Sequence, residues 1–268
     1  MKINKKLACI FNYAPHYREA IYKQIDSEFN CDFYFGDKLN TTIKKMDYNL
    51  LSGYKGELKN VTILGNYFKW QKDVLRLILN GKYSVFLLTG DAFYLSNWVI
   101  ALCARITGRK VYFWTHGLKN RGEFKFRIFK LLFFLLANKV LLYSNYSKDL
   151  MINLGFPKKK LICFKNSLDY DKQLNIRKHL KKSKLYEIYF NNDFPVVIYI
   201  GRIQKVKKIE LLIKSMSLLQ QKKGFSCNLI IVGSDKENVN VGDLISKYDL
   251  KNCWLYGSCY DEEIIGEL

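Results

Sequence analysis

Val196-Val197-Ile198-Tyr199-Ile200-Gly201-Arg202-Ile203-Gln204-Lys205-Val206-Lys207-Lys208 is the stretch on which the reading of the fold turns. Five apolar or β-branched residues in succession predict a short buried strand that Gly201 ends. An amphipathic segment, Lys208–Gln221, predicts a helix straight after it. A strand, a glycine turn and a helix N-terminus form an anion site, because free backbone N–H groups and the helix dipole point at the ligand. Arg202 directly after the glycine and Lys207 five residues later add two full positive charges to that loop. The competing reading of these residues alone is a solvated basic loop.

The same alternation extends in both directions. Downstream, Asn228–Val232 and Cys253–Tyr256 read as strands, Val241–Tyr248 as a helix, and a further helix begins near Asp261. Upstream, strands are expected at Lys6–Asn12, Cys31–Gly36, Val61–Leu64, Tyr83–Thr89, Lys110–Trp114, Lys139–Tyr143 and Leu161–Lys165. Helices are expected between them at Tyr17–Phe29, Gln71–Leu79, Leu95–Thr107, Glu123–Ala137 and Ser147–Leu154, the last with Ser147 as its N-cap. Strands that are apolar throughout imply burial on both faces, hence parallel sheets flanked by helices. The chain therefore divides into an α/β domain over residues 1–168, a polar, Lys-rich connector with a loop or short helix over 169–194, and a second α/β domain over 195–268 whose sheet is left incomplete. In open sheets of this kind ligands bind beyond the carboxyl ends of the strands, so those loops are the ones to inspect.

Composition bounds the function. The 268 residues are 49% hydrophobic and 25% charged, as in a folded globular protein. The net charge is +20 and unevenly placed: residues 1–168 hold 28 Lys and Arg against 11 Asp and Glu (+17), and residues 169–268 hold 16 against 13 (+3). A basic first domain suits nucleic acid, anionic lipid or acidic small molecules, and a merely Lys-rich surface would look the same. The seven cysteines show no metal-ligand spacing, and with no signal peptide at the start the natural setting is the cytoplasm. The most apolar run, Leu131–Ala137, is far shorter than the ~20 residues a membrane span needs. It reads as a core helix or as a face leaning on a membrane surface.

The strand ending in Gly201-Arg202, then Lys207 and Ile209-Glu210-Leu211-Leu212-Ile213, resembles the retaining GT-B glycosyltransferases of family 4, the glycosyl transferases group 1. Leu229-Ile230-Ile231-Val232-Gly233 and Trp254-Leu255-Tyr256-Gly257 with Asp261-Glu262-Glu263 are similar to the strands that follow in that family. In the first domain Thr115-His116-Gly117 resembles its His-containing loop, and Asn166-Ser167-Leu168-Asp169 its segment before the hinge. The resemblance implies two Rossmann-like doubly wound domains facing a cleft. It implies that Arg202 and Lys207 bind the diphosphate of a nucleotide-sugar donor beside Gly201 and Gly233, and that His116 reaches the donor sugar. Breaking a glycosyl–phosphate bond leaves an oxocarbenium-like sugar and a diphosphate of growing negative charge. Two fixed cations beside that charge favour the transition state, so neither a metal nor another cofactor is expected. His16, Tyr17, Arg18 and Lys119, with Arg121, are candidates on the acceptor side, for a glycan or a lipid-linked acceptor at an anionic membrane surface.

Departures from the family pattern are visible. No Gly-Gly follows the first strand, Lys208 stands where glycine is usual, and Gly233-Ser234-Asp235 lacks a second glycine. The family's paired glutamates would lie beyond Leu268, so the chain is expected to be the front part of a longer protein, and one alternative is an inactive truncated remnant. Another is a nucleotide-sugar epimerase of the same fold. A dinucleotide-dependent oxidoreductase is disfavoured because no G-x-G-x-x-G follows the first strand. Nucleic acid is not an expected partner, since no recognition motif accompanies the basic charge.

Overall fold

A computed structural model of the chain describes residues 6–39, 41, 43–63, 67–119, 124–166, 168–181, 184–222, 226–235 and 237–267. Ser167 and Arg121 lie outside these residues. The chain forms two compact units, Met1–Asp169 and Tyr170–Leu268.

In the first unit the elements run β1 (Leu7–Phe11), α1 (Glu19–Glu28), β2 (Cys31–Gly36), β3 (Tyr54–Leu58), β4 (Asn60–Ile63), β5 (Phe68–Gln71), α2 (Val74–Leu79), β6 (Val85–Thr89), α3 (Leu95–Ile106), β7 (Lys110–Thr115), α4 (Phe124–Leu135), β8 (Lys139–Leu142), α5 (Asn145–Asn153) and β9 (Leu161–Cys163). Among the described residues seven strands make one sheet in the order β3-β2-β1-β6-β7-β8-β9. Every neighbouring pair in it is parallel. The reason lies in the strand sequences. Ala8 and Ile10 of β1 enter one core with Phe86, Leu88, Val111, Phe113, Val140 and Leu142. Cys9 and Phe11, pointing the other way, enter a second core with Tyr22, Phe33, Phe35, Leu87 and Trp114. Side chains alternate across a strand, so a strand apolar at every position must be covered on both faces.

Helix α4 shows how the apolar run around Leu131 is used. Phe133 and Phe134 are buried, and Phe133 stacks on Phe113 with ring centroids 4.1 Å apart. Ile128, Leu132 and Leu135 of the same helix are exposed at 43%, 53% and 38%. The segment is thus a core helix with a second, apolar, solvent-facing stripe. No helix among the described residues is long and apolar enough to cross a membrane.

The second unit begins with α6 (Tyr170–His179) and α7 (Leu185–Phe190), so the stretch read as connector contains two helices. β10 (Val196–Ile200), α8 (Ile209–Gln220), β11 (Asn228–Val232), α9 (Val241–Lys247), β12 (Cys253–Gly257) and α10 (Glu262–Glu267) follow. The three strands form a parallel sheet in the order β10-β11-β12. β11 is buried along its whole length, and Leu229 and Ile231 pack with Ile209, Ile213 and Met216 of α8. Asp261 caps α10, its carboxylate accepting from the N–H groups of Glu263 at 2.9 Å and Ile264 at 3.2 Å.

Two expectations need correction. The N-cap of α5 is Ser144, not Ser147: the Ser144 hydroxyl accepts from the Ser147 N–H at 3.2 Å. The strand expected at Val61–Leu64 is β4, which pairs antiparallel with β5 in a hairpin outside the main sheet.

Candidate functional site

Each unit gathers candidate residues at the carboxyl ends of its strands. In the second unit the ends of β10, β11 and β12 are laced together by backbone hydrogen bonds. The Gly201 N–H donates to the Val232 carbonyl at 2.9 Å, Gly233 N–H to Gly257 at 2.8 Å, and Ile203 N–H to Ser234 at 3.1 Å. Gly233 is required by space, since a Cβ there would lie 1.9 Å from the Gly201 carbonyl oxygen. The loop carrying the cations is held from the far side by Glu237, whose carboxylate accepts from Gln204 Nε2 at 2.8 Å and from the Lys205 N–H at 3.1 Å. Asp235 accepts from the N–H groups of Val239 and Asn240, both at 2.8 Å, fixing the approach to α9.

On this frame Arg202 and Lys207 are exposed, and among the described residues neither side chain has an ion-pair or hydrogen-bond partner. Lys207 sits in a single 3-10 turn, Lys205–Lys207, that precedes α8. Lys208 follows at φ 52°, ψ 44°, the left-handed conformation that favours glycine. Beside this loop lies a cavity of about 620 Å³, whose lining includes Ile203, Ser234, Asn240 and Leu255 and also the carboxylates of Asp235 and Asp243. Two unpaired cations on a fixed loop and an adjoining cavity can hold an anionic ligand that bears an organic group.

In the first unit the loops after β1, β7 and β8 meet. Thr115-His116-Gly117 ends β7, and Gly117 is at φ 67°, where a Cβ would come within 2.2 Å of Ser147 Oγ. The exposed His116 ring packs on Tyr143, centroids 4.4 Å apart. Arg18 lies with its guanidinium carbon 5.0 Å from the Trp114 ring centroid and 5.4 Å from that of Tyr143, and it donates to the Tyr143 hydroxyl. Desolvation lowers the His116 imidazole below its ordinary 6.5, and the charges of Arg18 and then Lys119 add to the shift.

The other acceptor-side candidates are placed differently. His16 is tied to the segment before Met46, its Nδ1 lying 3.1 Å from the Lys44 carbonyl oxygen. Its neighbour Tyr17 is 40% exposed and meets the His16 ring edge-on at 5.7 Å. Lys119 is exposed. Tyr143, Trp114 and Phe164, which complete the aromatic surround, were not singled out by sequence, although each ends or follows a strand. The one Asp-x-Asp spacing in the sequence, Asp169 and Asp171, falls at the start of α6. Among the described residues no three His, Cys, Asp or Glu side chains converge as a metal site requires.

Residues 181–268 match the family model for glycosyl transferases group 1. By fold the chain is similar to HepE of Anabaena in complex with UDP, 15% identical over 98% of this chain and 72% of that one, with a TM-score of 0.66. The chain has the GT-B fold. A glycosyltransferase from Rickettsia africae is similar as well, at 16% identity, TM-score 0.68 and coverage of 98% and 71%. So is the UDP-GlcNAc 2-epimerase of Neisseria meningitidis bound to UDP-GlcNAc, at 17% identity, TM-score 0.54 and coverage of 97% and 74%. No curated protein sequence matches the chain.

Proposed function

We propose that the chain belongs to a retaining glycosyltransferase of family 4, moving a sugar from a nucleotide sugar to a carbohydrate or lipid-linked acceptor at the cytoplasmic face of the membrane, in bacterial surface polysaccharide synthesis. The observation that carries this reading is the loop after β10. Arg202 and Lys207 stand unpaired among the described residues, beside a cavity large enough for a nucleoside. Arg202 and Lys207 bind the donor diphosphate and stabilise the charge that grows on it as the glycosyl bond breaks. Gly201 and Gly233 let the backbone approach the phosphates, and His116 contacts the donor sugar. Two cations on the leaving group do the work of a metal, so none is needed. The match of residues 181–268 to glycosyl transferases group 1 and the UDP bound to HepE support a nucleotide-sugar donor.

The acceptor side is the first unit. The +17 charge of residues 1–168 and the exposed stripe Ile128, Leu132 and Leu135 on α4 favour an acceptor carried on an anionic lipid surface.

Incubation with a panel of nucleotide sugars, with and without glycan acceptors, tests the reading by release of nucleoside diphosphate. Release that depends on an acceptor and is lost in Arg202→Ala and Lys207→Ala supports transfer. The likeness to a UDP-GlcNAc 2-epimerase makes epimerisation the second reading. Conversion of a donor without any acceptor would replace the first reading by the second.

A further inference from the structure

Three strand ends far apart in sequence bring Arg18, His116 and Tyr143 together, and no sequence motif links them. Arg18 closes the 3-10 turn before α1, His116 follows β7, and Tyr143 follows β8. The Tyr143 ring is the shared surface: the His116 ring packs on it at 4.4 Å, and the Arg18 guanidinium lies 5.4 Å from its centroid and grips its hydroxyl. Trp114 fixes the other contact of the guanidinium at 5.0 Å and is itself 6% exposed. Arg18 is therefore not a free surface cation. Its planar group lies over two aromatic faces and donates to one phenol, a geometry that lysine does not reproduce.

We infer that Arg18 is a positioning residue for His116, acting through the ring of Tyr143. The groups that face the imidazole are Tyr143 from the end of β8, Arg18 from the segment before α1, and Lys119 from its own loop. No carboxylate stands among the groups that shift it. Protonating His116 would place a third cation beside Arg18 and Lys119, so the arrangement keeps the ring neutral at pH 7. Under the transferase reading, on which this use of the ring rests, a neutral imidazole can hydrogen-bond a sugar hydroxyl. It does so without setting positive charge against a reacting carbon that becomes cationic.

The experiment is a ring-proton and ring-carbon NMR titration of the full chain labelled in histidine. The three histidines are told apart by His116→Gln, and wild type is compared with Arg18→Met, Arg18→Lys and Tyr143→Phe. In wild type His116 titrates below the ordinary imidazole range; Arg18→Met moves its midpoint up, and Arg18→Lys, which keeps the charge but loses the planar contacts with Tyr143 and Trp114, restores only a minor part of the shift. Once a donor is known, the acid limb of kcat/KM moves up with the midpoint in Arg18→Met. An unmoved midpoint in folded Arg18→Met overturns the inference. Should that variant fail to fold by circular dichroism, Tyr143→Phe decides: releasing Arg18 from its phenol moves the midpoint up, and an unmoved midpoint overturns the inference. The titration needs no donor, so the two readings fail separately. A moved midpoint without any sugar chemistry sinks the transferase, and sugar transfer with an unmoved midpoint sinks the role of Arg18.

Discussion

Gly233 lies back to back with Gly201, so close that a Cβ on Gly233 would stand 1.9 Å from the Gly201 carbonyl oxygen. The obstruction is backbone on both sides, and it occurs where β10 and β11 deliver the loop that carries Arg202. Gly233→Ala is therefore expected to push the two strand ends apart. It should cost about 1–3 kcal/mol, the usual range for overpacking, read from urea unfolding. Nucleoside diphosphate binding should weaken with it. A stable variant with wild-type binding would mean that the loop is not held as described.

Lys208 offers the opposite test. It occupies the left-handed region at φ 52° immediately before α8, a conformation that costs a side-chain residue about 1 kcal/mol. Lys208→Gly removes that strain and should raise stability by about 0.5–1 kcal/mol, measured as a higher urea midpoint with unchanged slope. Because Lys207 is left in place, diphosphate binding should fall much less than in Lys207→Ala.

Asp32 gives the first unit a pH-dependent part. Its carboxylate is 2% exposed and accepts from Lys6 at 2.9 Å, Lys82 at 2.8 Å and the Tyr83 hydroxyl at 2.7 Å. Burial alone would raise it, but the hydrogen bonds from Lys82, Tyr83 and Lys6 prevail and hold it below its ordinary 3.8. A carboxylate depressed in the folded state contributes stability that is full above its unfolded value and is lost as pH falls through its folded value. Asp32→Asn should thus cost about 1–3 kcal/mol at pH 7, the exposed lysines keeping the figure low. It should also flatten the loss of stability in acid below 3.8. Urea midpoints at pH 7 and in that acid range, in wild type and variant, check both.

The exposed stripe on α4 can be altered without touching the core. Ile128→Glu with Leu132→Glu should leave thermal unfolding within about 0.5 kcal/mol of wild type, because both side chains already face solvent. Flotation with anionic vesicles should fall, and wild type should bind anionic vesicles over neutral ones. Equal binding to the two vesicle types would remove the lipid surface from the account.

What the sequence made legible follows from burial. β2, β10 and β11 have the bounds expected of them, because each is a mainly apolar run with a glycine at its end, Gly36, Gly201 or Gly233, although β10, expected to be buried, leaves Val197, Ile198 and Ile200 exposed. β3 escaped notice because it is an edge strand, Tyr-Lys-Gly-Glu-Leu, with Lys55 and Glu57 facing solvent and Gly56 in the middle. The bounds of α6 are not legible, although a loop or short helix is expected in its stretch, because it has no buried residue and no apolar stripe marks it. The diphosphate loop was visible because one short segment holds both cations. The Arg18, Tyr143 and His116 cluster was not, because it is assembled from three strand ends up to 125 residues apart.

The most direct measurement is a calorimetric titration of the chain with UDP and with a panel of nucleotide sugars, repeated for Arg202→Ala and Lys207→Ala. The account predicts that one nucleotide series binds and that each variant weakens it about tenfold or more, as loss of a charge-assisted phosphate contact should. Binding that is unchanged in both variants, or no nucleotide binding by the folded wild-type chain, would contradict it.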